Sequence, residues 1–171
     1  MKSIFTIFLL ASLLCGCAGM HTEINSTQDK FTGKTINETF KNDLNMGFTD
    51  AGAMMLDARQ EIDEQNNSQY FLLLSSFSLS GAALMPKPWV ENLFVVADTN
   101  HYALASIRHE NGQYYYPVTR AQMLMICYAN DVEVRVLQIT GSTFEKSFNA
   151  RNRENFKKFA DRFLSATNAV K

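Results

Sequence analysis

Cysteine is scarce in this chain. There are three in 171 residues: Cys15 and Cys17, one residue apart near the amino terminus, and Cys127 far downstream. That excludes the multiple-disulfide framework that staples small secreted domains. Neither sign of charge is in excess, with 16 basic and 17 acidic side chains. The basic footprint that holds nucleic acid is therefore missing, and nucleic acid is not an expected partner. No HExxH, GxSxG, phosphate-binding loop or paired-cysteine metal signature occurs. Long apolar runs are also missing. The segment from Ile4 to Leu14 is broken by Thr6 and Ser12 and falls short of the ~20 residues that span a bilayer.

Histidine is nearly as rare, limited to His21, His101 and His109. The last two bracket one expected strand, which at a rise of ~3.3 Å per residue sets them ~26 Å apart, too far to share a metal or a catalytic centre. Asp98 near His101 reads as turn chemistry. Cys127, within AQMLMICYA, reads as a small buried hydrophobe and not a nucleophile. The chain is accordingly expected to be non-enzymatic, with no catalytic residue, no metal site and no cofactor.

The amino terminus carries the most specific signal. Lys2 precedes the short apolar run, giving the charged and hydrophobic regions of an export signal. The run ends in Leu14, Cys15, Gly16 and Cys17. This segment resembles the lipobox of bacterial lipoprotein precursors: a branched apolar residue at −3, a small one at −1, and the cysteine to be acylated at +1. Cys15 fits less well as acceptor because Leu14 would then occupy −1. The pattern departs from the usual one in its single n-region lysine and in cysteine at −2. The resemblance implies lipidation of Cys17, residues 1–16 as signal peptide, and a membrane partner reached through several acyl chains, which together hold a protein stably. Ala18 at +2 resembles the pattern sorted to the outer membrane, here its periplasmic face. With Cys17 acylated, Cys127 is the one thiol left.

Removing residues 1–16 leaves 155 residues, enough for one domain with a core; 46% hydrophobic content and 13 Phe argue against disorder. Residues 17–34 are polar and turn-rich and read as the acylated terminus and a flexible tether, with a single globular domain over 35–171. Charge is unevenly spread: residues 17–64 carry net −5 and residues 144–171 net +4.

Within the domain, Thr35 and Glu38 have the spacing of a capping box. Ile36, Phe40, Leu44, Phe48, Ala51, Met55, Ala58 and Ile62 then recur at three and four residues, which predicts one long amphipathic helix to about residue 64. An acidic stripe of Asp43, Asp50, Asp57, Glu61 and Glu64 would run beside it. Residues 69–85 suit either a second helix, which the composition favours, or a strand. Beyond Pro88 the period becomes two: strands are expected around 90–98, 101–109 and 113–118, with Asn111-Gly112 as a tight hairpin turn. Thr119 and Gln122 form a second capping box opening a helix to about Asn130, and Val132, Val134 and Val136 mark another strand. A helix from about Asn149 to Ala166 closes the chain with an apolar stripe of Phe156, Phe159, Ala160, Phe163 and Leu164. The expected class is α+β: an antiparallel meander with a strand-helix-strand unit, flanked by the two helices. The strand-helix-strand unit resembles that of small secreted OB-like domains.

Two surfaces are candidates for binding. The hairpin register pairs Arg108 with Tyr115 and places Ala103, Ala105, Ile107, Tyr114 and Tyr116 on a core face. Tyr102, Arg108 and Tyr115 then form a half-polar face able to stack on a sugar or small molecule. On the closing helix, Arg151, Lys158 and Arg162 lie opposite the phenylalanines and make a basic face for an envelope protein or an anionic surface. The leading expectation is a lipid-anchored interaction or structural protein; the alternative is a ligand-binding module.

Overall fold

The computed structural model describes residues 24–40, 42–44, 53–77, 92–137 and 143–165. Among these the chain forms β1 (Ile24–Gln28), β2 (Thr35–Thr39), β3 (Ala53–Ile62), β4 (Ser68–Phe77), β5 (Asn92–Ala97), β6 (Asn100–Ala105), β7 (Arg108–Glu110), β8 (Gln113–Val118), α1 (Arg120–Tyr128), β9 (Val132–Leu137), β10 (Thr143–Ser147) and α2 (Ala150–Phe159). A wider π-helical turn over Ala160–Leu164 continues α2. The class is α+β, as expected. The strands build two antiparallel sheets, one ordered β1-β2-β3-β4-β8-β7 and the other β10-β9-β5-β6.

One main core joins them. Leu56, Ala58, Leu72, Leu74 and Tyr116 come from the six-stranded sheet; Leu93, Val95, Val132, Val134 and Val136 come from the four-stranded one. Met123, Ile126 and Cys127 of α1 and Phe156 and Phe159 of α2 pack into the same cluster. Period-two patterning decides the orientation of β9, whose three valines are buried while Glu133, Arg135 and Leu137 face out.

The expected helix over residues 35–64 is corrected to two strands, β2 and β3. In β3, Met54, Leu56 and Ala58 face the core, and Asp57, Arg59 and Glu61 take the opposite face. The apparent helical spacing runs across a chain reversal in which Asp43 bridges Met55; residues 45–52, with Phe48, Asp50 and Ala51, lie outside the described residues. Thr35 and Glu38 consequently sit in a strand instead of a cap. Residues 68–77 are a strand as well, between β3 and β8. That strand buries both faces, Leu72 and Leu74 in the main core and Phe71 and Leu73 in a second cluster with Tyr115. A strand buried on both sides reads as a continuous apolar run, which is why helix and strand could not be separated there.

The ordered sheet begins at Ile24, so much of the stretch expected as tether is built into the β1–β2 hairpin. The expected strand over 101–109 is two strands. Ala105 pairs with Asn92 in one sheet and Arg108 with Tyr115 in the other, with Ser106 and Ile107 as the corner between. Alternation resets at this corner. Leu104 is buried, Ala103 and Ala105 are exposed, and Ile107, expected in the core, is 66% exposed.

The hairpin at Asn111-Gly112 forms in the expected register, both residues having positive φ (51° and 78°). The Thr119–Gln122 capping box is present: the Gln122 amide N–H donates to the Thr119 hydroxyl at 3.2 Å, and the Thr119 N–H donates to Gln122 Oε1 at 2.8 Å. The strand-helix-strand unit exists as β8-α1-β9, but its strands lie in different sheets. The described ladders have six and four strands, not the five of an OB barrel. The closing helix buries Phe156, Phe159, Ala160 and Leu164 as its stripe implies.

Candidate functional site

Three surfaces carry chemistry. The first is the face of the six-stranded sheet turned away from the main core. Cross-strand pairing lines up Asp57, Leu73, Tyr115 and Arg108 in one row, and Glu38, Arg59 and Phe71 in the next. Glu61, 7% exposed, gathers three cations. Its Oε1 is 2.9 Å from Arg108 Nη2 and 3.4 Å from Arg59 Nε, and its Oε2 is 3.6 Å from Lys34 Nζ. Arg59 also approaches Glu38 at 3.7 Å and donates from Nη1 to the Tyr115 hydroxyl at 2.8 Å. Burial raises the Glu38 carboxyl above its ordinary range, with Arg59 opposing.

Tyr115 is enclosed by this arrangement. The Arg108 guanidinium lies 3.8 Å from its ring centroid, Arg59 lies 5.5 Å away, and Phe71 meets it edge-on at 5.8 Å. Only 3% of Tyr115 is exposed. The fold thus brings Arg108 and Tyr115 together, as the register implied, but spends the ring on its own arginines, so no open stacking face exists there. Tyr102 does not join them. It lies half-buried on β6, in the other sheet, with its hydroxyl 3.1 Å from the Met125 sulfur.

The second surface is the outer side of the four-stranded sheet, where a depression of about 800 Å³ opens. Phe94, Val96 and Ala103 line it together with His101, Glu133, Arg135, Glu145 and Ser147. The register explains the gathering: Phe94 lies between Ala103 and Arg135, and Arg135 faces its ion-pair partner Glu145, while Val96 lies between His101 and Glu133. Volume and mixed lining fall in the small-molecule range of ~300–1,000 Å³. Sequence reasoning did not single out this surface. The outward parity of Glu133 and Arg135 was legible; the pairing of β10, which brings Glu145, was not. His109 lies in the other sheet, stacked on Tyr114 at 4.3 Å.

The third surface is α2 and its continuation. Arg151, Lys158 and Arg162 are all exposed, as expected, with Lys158 paired to Glu154 at 2.7 Å and Arg162 over the Phe163 ring at 5.1 Å. On the inner side of α2 a buried polar chain ties the helix to the sheet. Asn152 Nδ2 donates to the Asp43 carbonyl at 2.7 Å, and Asn155 Nδ2 donates to Asn42 Oδ1 at 3.0 Å. Asn42 in turn donates to Asp57 Oδ1 from its backbone at 3.2 Å and its amide at 2.7 Å, and the Thr39 hydroxyl adds a third bond at 3.2 Å. Burial nevertheless pushes Asp57 up to about 6.

Asp98 is turn chemistry: at φ 51° its carboxylate accepts from the backbone N–H groups of Asn130 and Asp131, each at 3.0 Å. Cys127 is buried in the core, and desolvation raises its thiol well above the ordinary range, which keeps it protonated. Cys17, the expected lipidation site, lies outside the described residues. Compared with known proteins, the chain matches no family model, no curated protein and no solved structure.

Proposed function

We propose that this chain is a lipid-anchored protein of the cell envelope that works by binding and not by catalysis, held by acyl chains on Cys17 at the periplasmic face of the outer membrane. The observation that carries the reading is the sequence Leu14-Cys15-Gly16-Cys17 at the end of a short apolar run. The exposed cations of α2 supply a contact surface. The helix buries its phenylalanines and presents Arg151, Lys158 and Arg162 to solvent, so an envelope protein or an anionic surface can reach them without any rearrangement of the core. Anionic headgroups and polymers surround a protein tethered at a membrane, and each exposed basic residue near such a surface is worth about 1 kcal/mol.

The test compares two unanchored proteins, both produced without residues 1–17, one with Arg151→Glu, Lys158→Glu and Arg162→Glu. The three exposed reversals are expected to leave thermal stability nearly unchanged, the lost Lys158–Glu154 pair being exposed to solvent. Retention on envelope fractions or anionic vesicles is expected to fall at low salt and to converge with the parent at high salt. Equal retention at low salt would remove the basic face from the account.

A second reading, a ligand-binding module for a glycan or small molecule, is favoured by the depression on the four-stranded sheet. Its site is then the surface of Phe94, His101 and Arg135, which Tyr102 also lines, and does not include Arg108 and the enclosed Tyr115.

A further inference from the structure

Phe31 is 100% exposed, at the tip of the β1–β2 hairpin, and the loop that presents it is tightly built. Asp29 organises the loop. Its N–H donates to the Lys34 carbonyl at 2.8 Å, and its own carbonyl accepts from Gly33 at 2.9 Å. Its carboxylate accepts from the Phe31 N–H at 2.9 Å and from the Thr32 hydroxyl at 2.7 Å. Gly33 has φ +66°, and a Cβ there would lie 2.5 Å from Glu64 Oε1, so the tip sits directly against the neighbouring β3–β4 turn. A well-ordered loop therefore holds an aromatic ring in water, leaving unrealised the ~1.5–3 kcal/mol that burial of such a side chain provides.

Its place in the chain supplies the partner. Cys17 lies seven residues before Ile24, where β1 begins, and Phe31 lies seven residues after it. Seven residues reach at most ~25 Å, and the same number along a hairpin arm at ~3.3 Å per residue covers ~23 Å. The segment from an acylated Cys17 is thus long enough to return along β1 and set the hairpin tip at the membrane plane.

We propose that Phe31 inserts into the interfacial layer of the bilayer that anchors Cys17, a second contact that fixes the orientation of the domain. This rests on the lipoprotein reading above. The anchor keeps the tip within reach of lipid, so insertion is effectively intramolecular and a single ring suffices: each ~1.4 kcal/mol gained is a tenfold bias in orientation. Charge is not the driving force. The tip and its neighbouring turn carry Asp29, Asp63 and Glu64 beside Lys30 and Lys34, so the contact is apolar and insensitive to salt, unlike that of α2.

The experiment uses the acylated mature protein in neutral phosphatidylcholine vesicles whose acyl chains are brominated. Phe31→Trp in a Trp89→Phe background provides the probe, because a fully exposed position accepts the larger ring. Its fluorescence is expected to be quenched about twofold or more, and equally so in about 0.5 M salt. Ile107→Trp in the same background reports an exposed position by β7, at the opposite edge of the six-stranded sheet from β1, and is expected to remain unquenched. Acylated protein in which the two probes are quenched alike, or neither is quenched, overturns the proposal alone. Protein that takes up no labelled palmitate overturns both this proposal and the lipoprotein reading.

Discussion

Glu61→Ala is expected to lower the unfolding free energy by about 1–3 kcal/mol, although it removes no apolar packing. The magnitude comes from Arg59. Its side chain is 13% exposed, so its charge has lost most of its water, and Glu61 is the nearer of its two carboxylates, at 3.4 Å against 3.7 Å for Glu38. Arg108 and Lys34 also face Glu61, but at 39% and 41% exposure they recover hydration when the carboxylate is removed, and each pair contributes only ~0–1 kcal/mol. The loss is therefore the cost of a largely buried guanidinium left with Glu38 and the Tyr115 hydroxyl as its remaining partners. Pairing Glu61→Leu with Arg59→Met should recover much of it, since apolar side chains of similar volume often replace a buried ion pair without penalty. Denaturant titration measures both. A loss below ~1 kcal/mol for Glu61→Ala would mean that Arg59 remains well solvated.

Acidification is expected to stabilise this protein between pH 7 and pH 4, opposite to the usual behaviour of carboxylates. Asp57 is 4% exposed and its folded-state value is about 6, against 3.8 for the free side chain. Between these values the folded state binds a proton that the unfolded state does not, so stability rises as pH falls and the gain is complete below the unfolded value. The full difference corresponds to ~3 kcal/mol, of which about 1–1.5 kcal/mol appears between pH 7 and pH 5. Glu38, raised in the same direction by burial, adds to it. Asp29, Asp63 and Glu154 are held below their ordinary range by local hydrogen bonds; they act in the opposite sense, at more acid pH. Asp57→Asn should flatten the profile between pH 7 and pH 5, leaving the contribution of Glu38. Urea midpoints at pH 5 and pH 7 decide it. Parallel profiles for the parent and Asp57→Asn would show that the carboxyl is not the titrating group.

The sequence was most legible where a local rule had no competitor. Asn111-Gly112 set a register that the ladder reproduces pair for pair at His109–Tyr114 and Arg108–Tyr115; Thr119 and Gln122 closed a capping box; and the valines of β9 alternated cleanly. Each of these signals spans fewer than about ten residues and depends on backbone geometry alone. The amino-terminal half was misread because β3 carries an apolar Met55 on its polar face. That residue, with Ala58 and Ile62, mimics helical spacing when joined to Ile36 of β2 and to Phe40 and Leu44 beyond its end. Strand pairing between β2 and β3, closed by the Thr39, Asn42 and Asp57 network, is a long-range fact that periodicity does not encode.

The candidate sites divide along the same line. The exposed cations of α2 follow from helical spacing and could be named residue by residue. The Arg108–Tyr115 contact followed from the hairpin, but its closure by Arg59 and Glu61 depended on β3 being a strand. Tyr102 was drawn into that site because the corner at Ser106 and Ile107 has no glycine or proline to announce it, and the chain changes sheets there. Phe94 and Arg135 became neighbours only through the β5–β9 pairing, which joins segments separated by three strands and a helix.

Anchoring through Cys17 is the claim on which the functional account turns, and metabolic labelling with palmitate tests it most directly. Wild type and Cys15→Ala are expected to be processed after Gly16 and to carry label. Cys17→Ala is expected to accumulate at precursor mass with none. Label retained by Cys17→Ala, or missing from the wild type, would contradict the account.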